Sequence, residues 1–356
     1  MVVHLRESRY PRFPDALADM DDALSMVHMF ASLPAEKRIQ TKRTELCLRL
    51  CREWQAYVVQ SKSLQKVFVS VKGMYYQAKV QGVDVTWVVP HKFSQAMPDD
   101  VDYRIMLTFL EFYEAMLQFV FFKLYHSVGL RYPPPLREDM DAAGAHLAVV
   151  DLAAAAATDA GATAAEEGDQ PVAAIKDDPS ASRVTTLSNK LRKIRDGDDG
   201  SDDDDASGSD SDTDTDEDDA AMVAAGSDEE AAEEARATKQ ALREQKRFAR
   251  LFRGLVFFLS REVPREAVEF VIRSVGGEVG WQGPGSTFDE NDRSITHYVT
   301  DRPGTPKKIQ GREYVQPQWV FDSVNARVQL PVHKYAVGVD LPVRVGWIEM
   351  WPVVVC

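Results

Sequence analysis

Hydrophobic positions in the first part of the chain recur at helical spacing. One apolar face runs through Leu17, Met20, Leu24, Val27 and Ala31, which predicts a helix over 15–31. A second helix is predicted over 41–65, with Thr41 as its N-cap and Cys47 and Cys51 on its core-facing side. Because no further Cys or His completes a metal site, we interpret these two residues as buried thiols.

The hydrophobic period then changes to two. Strand-like runs over 66–89 are joined at Lys72-Gly73 and Gln81-Gly82, so they predict a three-stranded antiparallel meander that ends at Pro90. Residues 100–128 predict one long aromatic-rich helix, which contains Glu111 and Glu114 and is therefore interpreted as a buried helix rather than a membrane span. We expect 9–136 to form an α+β domain, mostly helical with a small antiparallel sheet.

The pattern disappears over 137–235, where Ala, Gly, Asp and Ser dominate. This composition predicts a long disordered acidic linker, since it offers little apolar area to bury. Residues 184–195 carry an amphipathic helical pattern, which is typical either of a transient linker helix or of a short helix that docks on a partner. The run from Ser201 to Asp219 is interpreted as a solvating spacer, with acid-directed phosphorylation at Ser201 or Thr213 as the alternative.

Helical spacing returns over 236–253, with seven basic residues and one Glu. This segment predicts a basic helix that either contacts RNA or is simply a solvated face. The candidate RNA contacts are Arg243, Lys246, Arg247, Arg250 and Arg253.

The region 254–343 alternates strands and helices in the order β-α-β-β-β-α. "LVFFLS" begins it, Gly276 and Gly277 end its first helix, and Pro317 begins its last. This order predicts an α/β domain with a short parallel sheet, whose core is closed by a buried Trp319 near the start of the last helix. The predicted core includes Trp319, Phe257, Val271, Gly276 and Gly277.

Charge changes this picture in one respect. The chain carries 42 Lys+Arg and 56 Asp+Glu, a net charge of −14, but residues 196–235 contain 19 acidic residues and no Lys or Arg. The remainder then has 42 basic against 37 acidic residues, so the folded parts are mildly basic. Such a surface suits contact with nucleic-acid phosphates, though weakly by charge alone.

No catalytic constellation is found in the sequence, and no apolar segment typical of a signal peptide begins it. We therefore expect no enzyme activity, no cofactor, no bound metal, no small-molecule substrate and no membrane. A phosphate-binding pocket is the one candidate ligand site, with Ser260 at the end of a strand. Its candidate anion contacts are Ser260, Arg261, Arg265 and Lys308, and the alternative is an ordinary polar loop.

The last domain, with its Gly-Gly helix end, its "THYV" strand and its helical Trp, resembles a BRCT domain. Two segments are similar in sequence to the pescadillo family of eukaryotic ribosome-assembly factors: "FFLSREVPREAVEFVIRSVGGEVGW" and "YVQPQWVFDSVNARVQLPV". "KVFVSVKGMYYQAKVQGVDVTWVVPHKFS" and "DVDYRIMLTFLEFYEAMLQFVFFKLY" resemble that family's N-terminal domain. The resemblance covers about 9–136 and 242–343, and the residues of 344–356 look unlike the family, whose first basic segment and tail we expect to be missing here.

The resemblance implies a non-enzymatic scaffold in large (60S) subunit biogenesis, which serves maturation of large-subunit rRNAs and processing of the second internal transcribed spacer. The implied partners are a block-of-proliferation-type WD-repeat protein and a second WD-repeat protein, together a PeBoW-type complex, with pre-rRNA and pre-60S particles. The implied location is the nucleolus and nucleoplasm. Two alternatives are a phosphopeptide-binding BRCT adaptor in DNA-damage signalling and an acidic nucleolar chaperone that works through 196–235.

Overall fold

A computed structural model describes residues 10, 12–34, 39–91, 101–156, 229–302, 309–339 and 341. The chain divides into two units, one formed by 1–164 with 234–356 and the other by 165–233. The first unit holds both predicted domains. Within the predicted linker, residues 157–228 lie outside the described residues, as do Lys308 and 344–356.

The N-terminal domain combines helices with one antiparallel sheet. Its sheet has the order β1-β2-β3, and Gln81 and Gly82, both with positive φ, form the tight turn between the last two strands. The predicted α+β class and meander are thus confirmed. The elements are α1 (Phe13–Ala18), α2 (Met20–Ser32), α3 (Thr41–Ser61), β1 (Leu64–Val69), β2 (Gly73–Val80), β3 (Val83–Pro90), α4 (Tyr103–Ser127) and α5 (Glu138–Ala142).

Several predicted element boundaries differ from the structure. The first predicted helix is interrupted at Asp19, whose backbone (φ −87°, ψ 5°) separates α1 from α2. The N-cap of α3 is Gln40 rather than Thr41, and the Gln40 side chain makes no capping hydrogen bond. This helix ends at Ser61 because Lys62 is left-handed (φ 52°), so Leu64 begins a strand instead of extending the helix. Pro90 lies inside β3 as its last residue.

The N-terminal domain continues beyond residue 136. A 3₁₀ turn at Leu147–Val149 places Leu147 and Val149 in the core, and Leu136 forms an antiparallel bridge with Val150. Ala155, also fully buried, extends this packing to the end of the described segment. The domain therefore includes residues after 136, because apolar residues inside this Ala-rich sequence are buried in its core.

The BRCT-like domain has a four-stranded sheet in the order β5-β4-β6-β7, with every pairing parallel. The predicted α/β class and the chain order β-α-β-β-β-α are confirmed. Its elements are α6 (Glu229–Ala249), β4 (Val256–Leu259), α7 (Arg265–Ser274), β5 (Glu278–Trp281), β6 (His297–Val299), β7 (Glu313–Val315) and α8 (Pro317–Ala326).

Trp319 is at the centre of this second core. Its side chain is 1% exposed and stacks on Phe252 and His297, with ring centroids 5.5 and 5.1 Å apart. The indole Nε1 donates a hydrogen bond to the Leu330 carbonyl at 2.8 Å. Phe257 is also fully buried, with its ring centroid 6.2 Å from that of Trp319. A single large side chain thus joins the sheet to the segment after α8.

The two glycines after α7 have different roles. Gly276 has φ +89°, a left-handed conformation that side chains disfavour and that ends the helix. A Cβ on Gly277 would stand 2.5 Å from Ile272 and 3.0 Å from Phe252, so the lack of a side chain lets the chain pass close to the core. Val271, on the buried face of α7, is fully buried.

The two domains pack directly on each other. Phe270 of α7 inserts among N-terminal residues and meets Tyr76 edge-on, with centroids 5.0 Å apart and planes at 88°. The Asn325 side chain donates to the Val67 carbonyl at 2.7 Å and accepts from the Val67 amide at 3.0 Å. The Lys62 ammonium donates to the Arg273 carbonyl at 2.7 Å. Asn325 thus occupies hydrogen-bonding positions on an edge strand, where a neighbouring strand would otherwise pair.

Candidate interaction surfaces

The helix α6 presents its basic side chains to solvent. Phe248 (3% exposed) and, just beyond the helix, Phe252 (0%) anchor its end in the core. Gln329 fixes the same region by donating to the Leu251 carbonyl at 2.7 Å. The exposed basic residues on the helix and the turn after it are Arg236, Lys239, Arg243, Lys246, Arg247, Arg250 and Arg253.

Six of these seven residues, all except Arg253, share one side of the helix axis. Their spacing of three and four residues from Arg236 to Arg250 brings them onto one helical face, which we name the basic face. Arg250 follows the last residue of the helix, Ala249, and Arg253 lies in the subsequent turn. From Arg236 to Arg247 the basic face extends roughly 16 Å along the helix. It could track several phosphates of a nucleic-acid backbone.

The long helix α4 has a buried side and an exposed apolar side. Four large apolar side chains on it are more than half exposed: Ile105 59%, Phe109 55%, Phe119 53% and Phe122 57%. We name these four residues the aromatic face. Within the described residues, α4 is the one helix long and apolar enough to cross a membrane, and about a third (33%) of its most apolar window is buried against the rest of the domain.

Ion pairs tie the opposite side of α4 to α3. Arg43 bonds to both Glu111 and Glu114, and the latter contact is 2.5 Å long. Glu114 is 5% exposed, and burial raises its pKa while Arg43 lowers it. Burial also raises the pKa of Cys47 to about 12, so this thiol is unreactive at neutral pH. The two carboxylates within the apolar sequence of α4 therefore serve the packing of helix on helix.

The candidate phosphate pocket has a different electrostatic character from the one its sequence suggested. Ser260 directly follows β4, but its hydroxyl is the largest cause that lowers the pKa of the nearby Glu262 carboxylate. Thr300 Oγ1 also donates to Glu262, at 3.2 Å. The Glu262 carboxylate, which is charged at neutral pH, thus lies beside the Ser260 hydroxyl. Its negative charge would repel a phosphate.

The two candidate arginines of that pocket differ in their surroundings. Arg265 bonds to the Gly144 carbonyl, and its guanidinium lies 5.0 Å from the Trp281 ring centroid. Arg261 is exposed to solvent. Ser260 and Arg261 therefore lie in the loop after β4, and Arg265 begins α7. Of these three residues only Arg261 is exposed, and Lys308 lies outside the described residues. Sequence reasoning missed Glu262, whose proximity to Ser260 in the sequence was the available signal.

Metal chemistry has no site in the part of the chain that the structure covers, where no group of three or more His, Cys, Asp or Glu could hold an ion. The two described cysteines, Cys47 and Cys51, are both free and buried. The buried histidines are part of aromatic or interdomain packing: His297, for example, lies against Phe257 at 5.0 Å between ring centroids. The exposed features with a definite chemistry are therefore the aromatic face and the basic face.

Comparison with known proteins agrees with this division. Residues 1–166 match the model of the Pescadillo N-terminus, and residues 250–336 match that of the BRCT domain. The C-terminal BRCT domain of human XRCC1 matches 25% of this chain and 95% of its own at 20% identity, with a TM-score of 0.22. The BRCT assignment depends on the family model and the strand order.

Three curated relatives cover nearly the whole chain. A pescadillo homolog of rice is 42% identical over 93% of this chain, one of Schizosaccharomyces pombe is 41% identical over 95%, and pescadillo of zebrafish is 40% identical over 95%. The aligned part is 51%, 54% and 52% of these proteins respectively, so the chain spans about half the length of the relatives it matches. With both domains matched in the same order, the chain belongs to the pescadillo family.

Proposed function

We propose that this protein is a non-enzymatic scaffold in ribosome biogenesis that holds pre-rRNA and assembly proteins together. Membership of the pescadillo family supports a general role in this process. The finer part of the proposal is action on the large (60S) subunit, in the maturation of its rRNAs and the processing of the second internal transcribed spacer. The proposed location is the nucleolus and nucleoplasm.

The observation that carries the RNA part is the exposure of the whole basic face on a helix whose other side is anchored. Exposed Lys and Arg can replace counterions on a phosphate backbone, which gives sequence-independent affinity. The anchor at Phe248 and Phe252 holds the end of the helix in a fixed direction, so its charges are presented as a row. This arrangement suits RNA backbone contact more than reading of bases.

The aromatic face supports the protein-binding part of the proposal. Exposed aromatic and aliphatic groups on one element mark an interaction site in a soluble protein. We propose that it contributes to a PeBoW-type complex with a block-of-proliferation-type WD-repeat protein and a second WD-repeat protein. An N-terminal surface is the better candidate for the main partner, because the apolar area on the BRCT domain is largely used in its own core and against the first domain.

A salt titration tests the RNA part. In the chain of residues 1–356, Arg243, Lys246 and Arg247 are changed to Gln, and binding to a structured pre-rRNA fragment is measured from low to moderate salt. We expect weaker binding and a shallower dependence of log K on log salt, by roughly two to three units of slope for three lost charges.

The matched control removes the same charge elsewhere, by changing Lys66, Lys72 and Lys79 of the meander to Gln. The control protein is expected to keep both the affinity and the salt dependence. Equal losses of RNA affinity for the two triple variants would mean that binding depends on the net charge of the protein only. The basic face would then have no special role.

A depletion experiment tests the cellular part. When the full-length protein is depleted, precursors that contain the second internal spacer should accumulate, and mature small-subunit rRNA should be comparatively spared, as northern blots with probes for both spacers would show. Full-length protein with Phe109→Ser and Phe119→Ser should fail to rescue and should lose its WD-repeat partners. Unchanged precursors with a defective DNA-damage response would contradict the assembly role and favour the phosphopeptide adaptor.

A further inference from the structure

The side of α4 that faces solvent carries a repeat of apolar residues. Ile105, Phe112 and Phe119 follow one another at intervals of seven residues, and the smaller residues Thr108 and Ala115 lie between them. Ile105 and Phe119 are more than half exposed, and Phe112 is half-buried. Apolar positions that recur every seven residues are the contact pattern of one helix packed along another. The exposed side of α4 thus has the pattern of one half of a helix pair.

The repeat continues to the end of α4. Phe122 is 57% exposed, and the His126 ring stacks on it with planes at 5° and centroids 6.4 Å apart. We call the row from Ile105 to His126 the α4 strip. It is roughly 32 Å long, and a helix with its side chains is about 10 Å wide. A long, narrow strip of this kind matches a second helix, which would cross α4 at an angle of roughly 20°.

The exposed apolar area on the α4 strip is too small for stable contact with a second copy of the chain. A large aromatic side chain has roughly 150–250 Å² to bury, so the four half-exposed residues of the aromatic face offer on the order of 400 Å². A stable interface between two folded proteins uses about 800 Å² of each partner. The strip therefore fits a narrower element, which belongs to a partner that also makes contacts elsewhere.

The charge beside the second half of the α4 strip is positive. Lys123 is exposed, and its Nζ lies 4.3 Å from the centre of the Phe13 ring, which holds the ammonium group beside the strip. Arg12 and Asp15, the charged residues next to Phe13, pair with each other at 3.3 Å. Glu114, the last acidic residue of α4, is buried and ion-paired with α3. A partner with a carboxylate opposite Lys123 would gain an ion pair.

The first half of the α4 strip gives no preference by charge. Asp102 and Arg104 are both exposed, and they lie two residues apart with opposite charges. Glu111 is paired with Arg43. The selection of a partner by charge is therefore confined to the half around Lys123.

We propose that the α4 strip binds one amphipathic α-helix of a partner protein. The helix packs a row of apolar residues, spaced by three and four positions, along the strip, and an Asp or Glu beside that row pairs with Lys123. This inference rests on the protein-binding role proposed for the aromatic face. It adds the secondary structure and the charge of the partner segment.

Binding is tested with a fluorescein-labelled peptide of three heptads, which has Leu at the two core positions and Glu at the two flanking positions of each heptad. Repulsion between the Glu residues keeps the peptide from pairing with itself. The chain of residues 1–356 carries Arg243, Lys246 and Arg247 changed to Gln, so that the basic face does not attract the peptide. By fluorescence anisotropy, the peptide should bind at least about tenfold more tightly than a version with a central proline, which breaks the helix. Equal binding of the two peptides, or no binding, would make the proposal wrong.

Substitutions on the protein locate the site of binding. Phe109→Ser with Phe119→Ser should abolish binding of the acidic peptide. The matched control, Val71→Ser with Ile309→Ser, removes apolar side chains that are 94% and 36% exposed elsewhere and should leave the affinity unchanged. All four sites are on the surface, so both variants should melt as the unchanged protein does. Equal affinity of the two variants would place the peptide elsewhere and overturn the proposal.

The charge preference is tested separately. Lys123→Glu should weaken binding of the acidic peptide about tenfold, because a repulsive pair replaces an attractive one. Lys72→Glu, on the exposed hairpin between β1 and β2, changes the net charge equally and should have no effect. Equal effects of the two substitutions would mean that Lys123 does not face the helix.

Two further measurements distinguish other occupants of the α4 strip. A peptide of residues 184–195, the chain's own amphipathic basic segment, should bind more weakly than the acidic peptide; tighter binding would make the linker the occupant and the proposal wrong. The unchanged chain should sediment as a monomer, and a dimer abolished by Phe109→Ser with Phe119→Ser would make a second copy the occupant. If that variant loses its WD-repeat partners although no helical peptide binds, the proposed function stands and the helix inference fails.

Discussion

In both domains tryptophan packs a small sheet against helices, but the two domains differ in whether the indole N–H has a hydrogen-bond acceptor. In the N-terminal domain, Trp54 and Trp87 meet edge-on at 5.3 Å between centroids, and neither indole N–H has an acceptor among the described residues. In the BRCT domain, Trp319 has its N–H bonded to the Leu330 carbonyl. In the first core the two indoles thus contribute by packing alone, whereas in the second Trp319 is both a packing and a hydrogen-bonding centre.

The two domains also differ in how many aromatic side chains share the packing of the core. Trp54 also stacks on Phe121 at 5.8 Å and Trp87 on Tyr76 at 5.5 Å, so several rings share the closure of the N-terminal core. A short four-stranded sheet has fewer side chains available, and it depends more on each of them. We therefore expect single substitutions to be more damaging in the BRCT domain than in its neighbour.

Trp319→Ala should have the largest effect. Truncating a fully buried Trp costs roughly 3–5 kcal/mol, and here the Leu330 carbonyl also loses its donor. The BRCT domain should unfold at lower denaturant concentration than the N-terminal domain, as amide exchange resolved by domain would show. Unchanged protection of β4 and β6 in the variant would contradict the central place of this residue.

Phe270→Ala removes the ring that joins the two domains. Burial among Tyr76 and Trp87 suggests a loss of about 3 kcal/mol, but at the interface rather than within the BRCT core. Limited proteolysis should then release two separate folded domains. Loss of the BRCT fold itself, with the N-terminal domain unaffected, would mean that Phe270 belongs to the second core alone.

Acid should destabilise the two cores through their buried histidines. Burial lowers the pKa of both His28 and His297 from 6.5 to about 4. Since the unfolded state binds the proton first, the stability that the neutral rings provide is complete above pH 6.5 and is lost as the pH falls toward 4, by about 3 kcal/mol for each group.

The variant His297→Phe keeps a ring between Phe257 and Trp319 but cannot titrate. Its free energy of unfolding should fall less between pH 6.5 and 4 than that of the unchanged protein. Parallel curves for the two proteins in urea titrations over this range would show that His297 is not buried as a neutral ring.

Changing Trp to Phe should have the smallest effect and is the sharpest test of the comparison. Trp319→Phe leaves the Leu330 carbonyl without its donor, whereas Trp87→Phe removes an indole N–H that has no acceptor among the described residues. Beyond the shared loss of ring area, the first change should cost about 1–2 kcal/mol more than the second. Equal losses would mean that the hydrogen bond adds nothing to packing.

Most of the elements and much of both cores follow from local patterns in the sequence, because apolar periodicity and turn residues act locally. The meander, the helix α4, the order of strands in the BRCT domain and the burial of Trp319 are all consequences of such patterns. The sequence was a less reliable guide where one or two residues set the end of a helix or of a domain. Asp19 breaks a helix, Lys62 ends one, and the residues after 136 fold back onto the domain.

Which surfaces are exposed depends on how elements that are distant in sequence pack on one another. Helical spacing shows that α4 has apolar residues on several sides, but not which side α3 covers, and the exposure of Phe109 and Phe119 results from that packing. In the same way, Phe270 and Asn325 become interdomain contacts, and His28 and Gln55 come to line one cleft, because residues distant in sequence meet. Burial and unsatisfied hydrogen bonds depend on contacts between residues that are distant in sequence, and the periodicity of one segment cannot predict them.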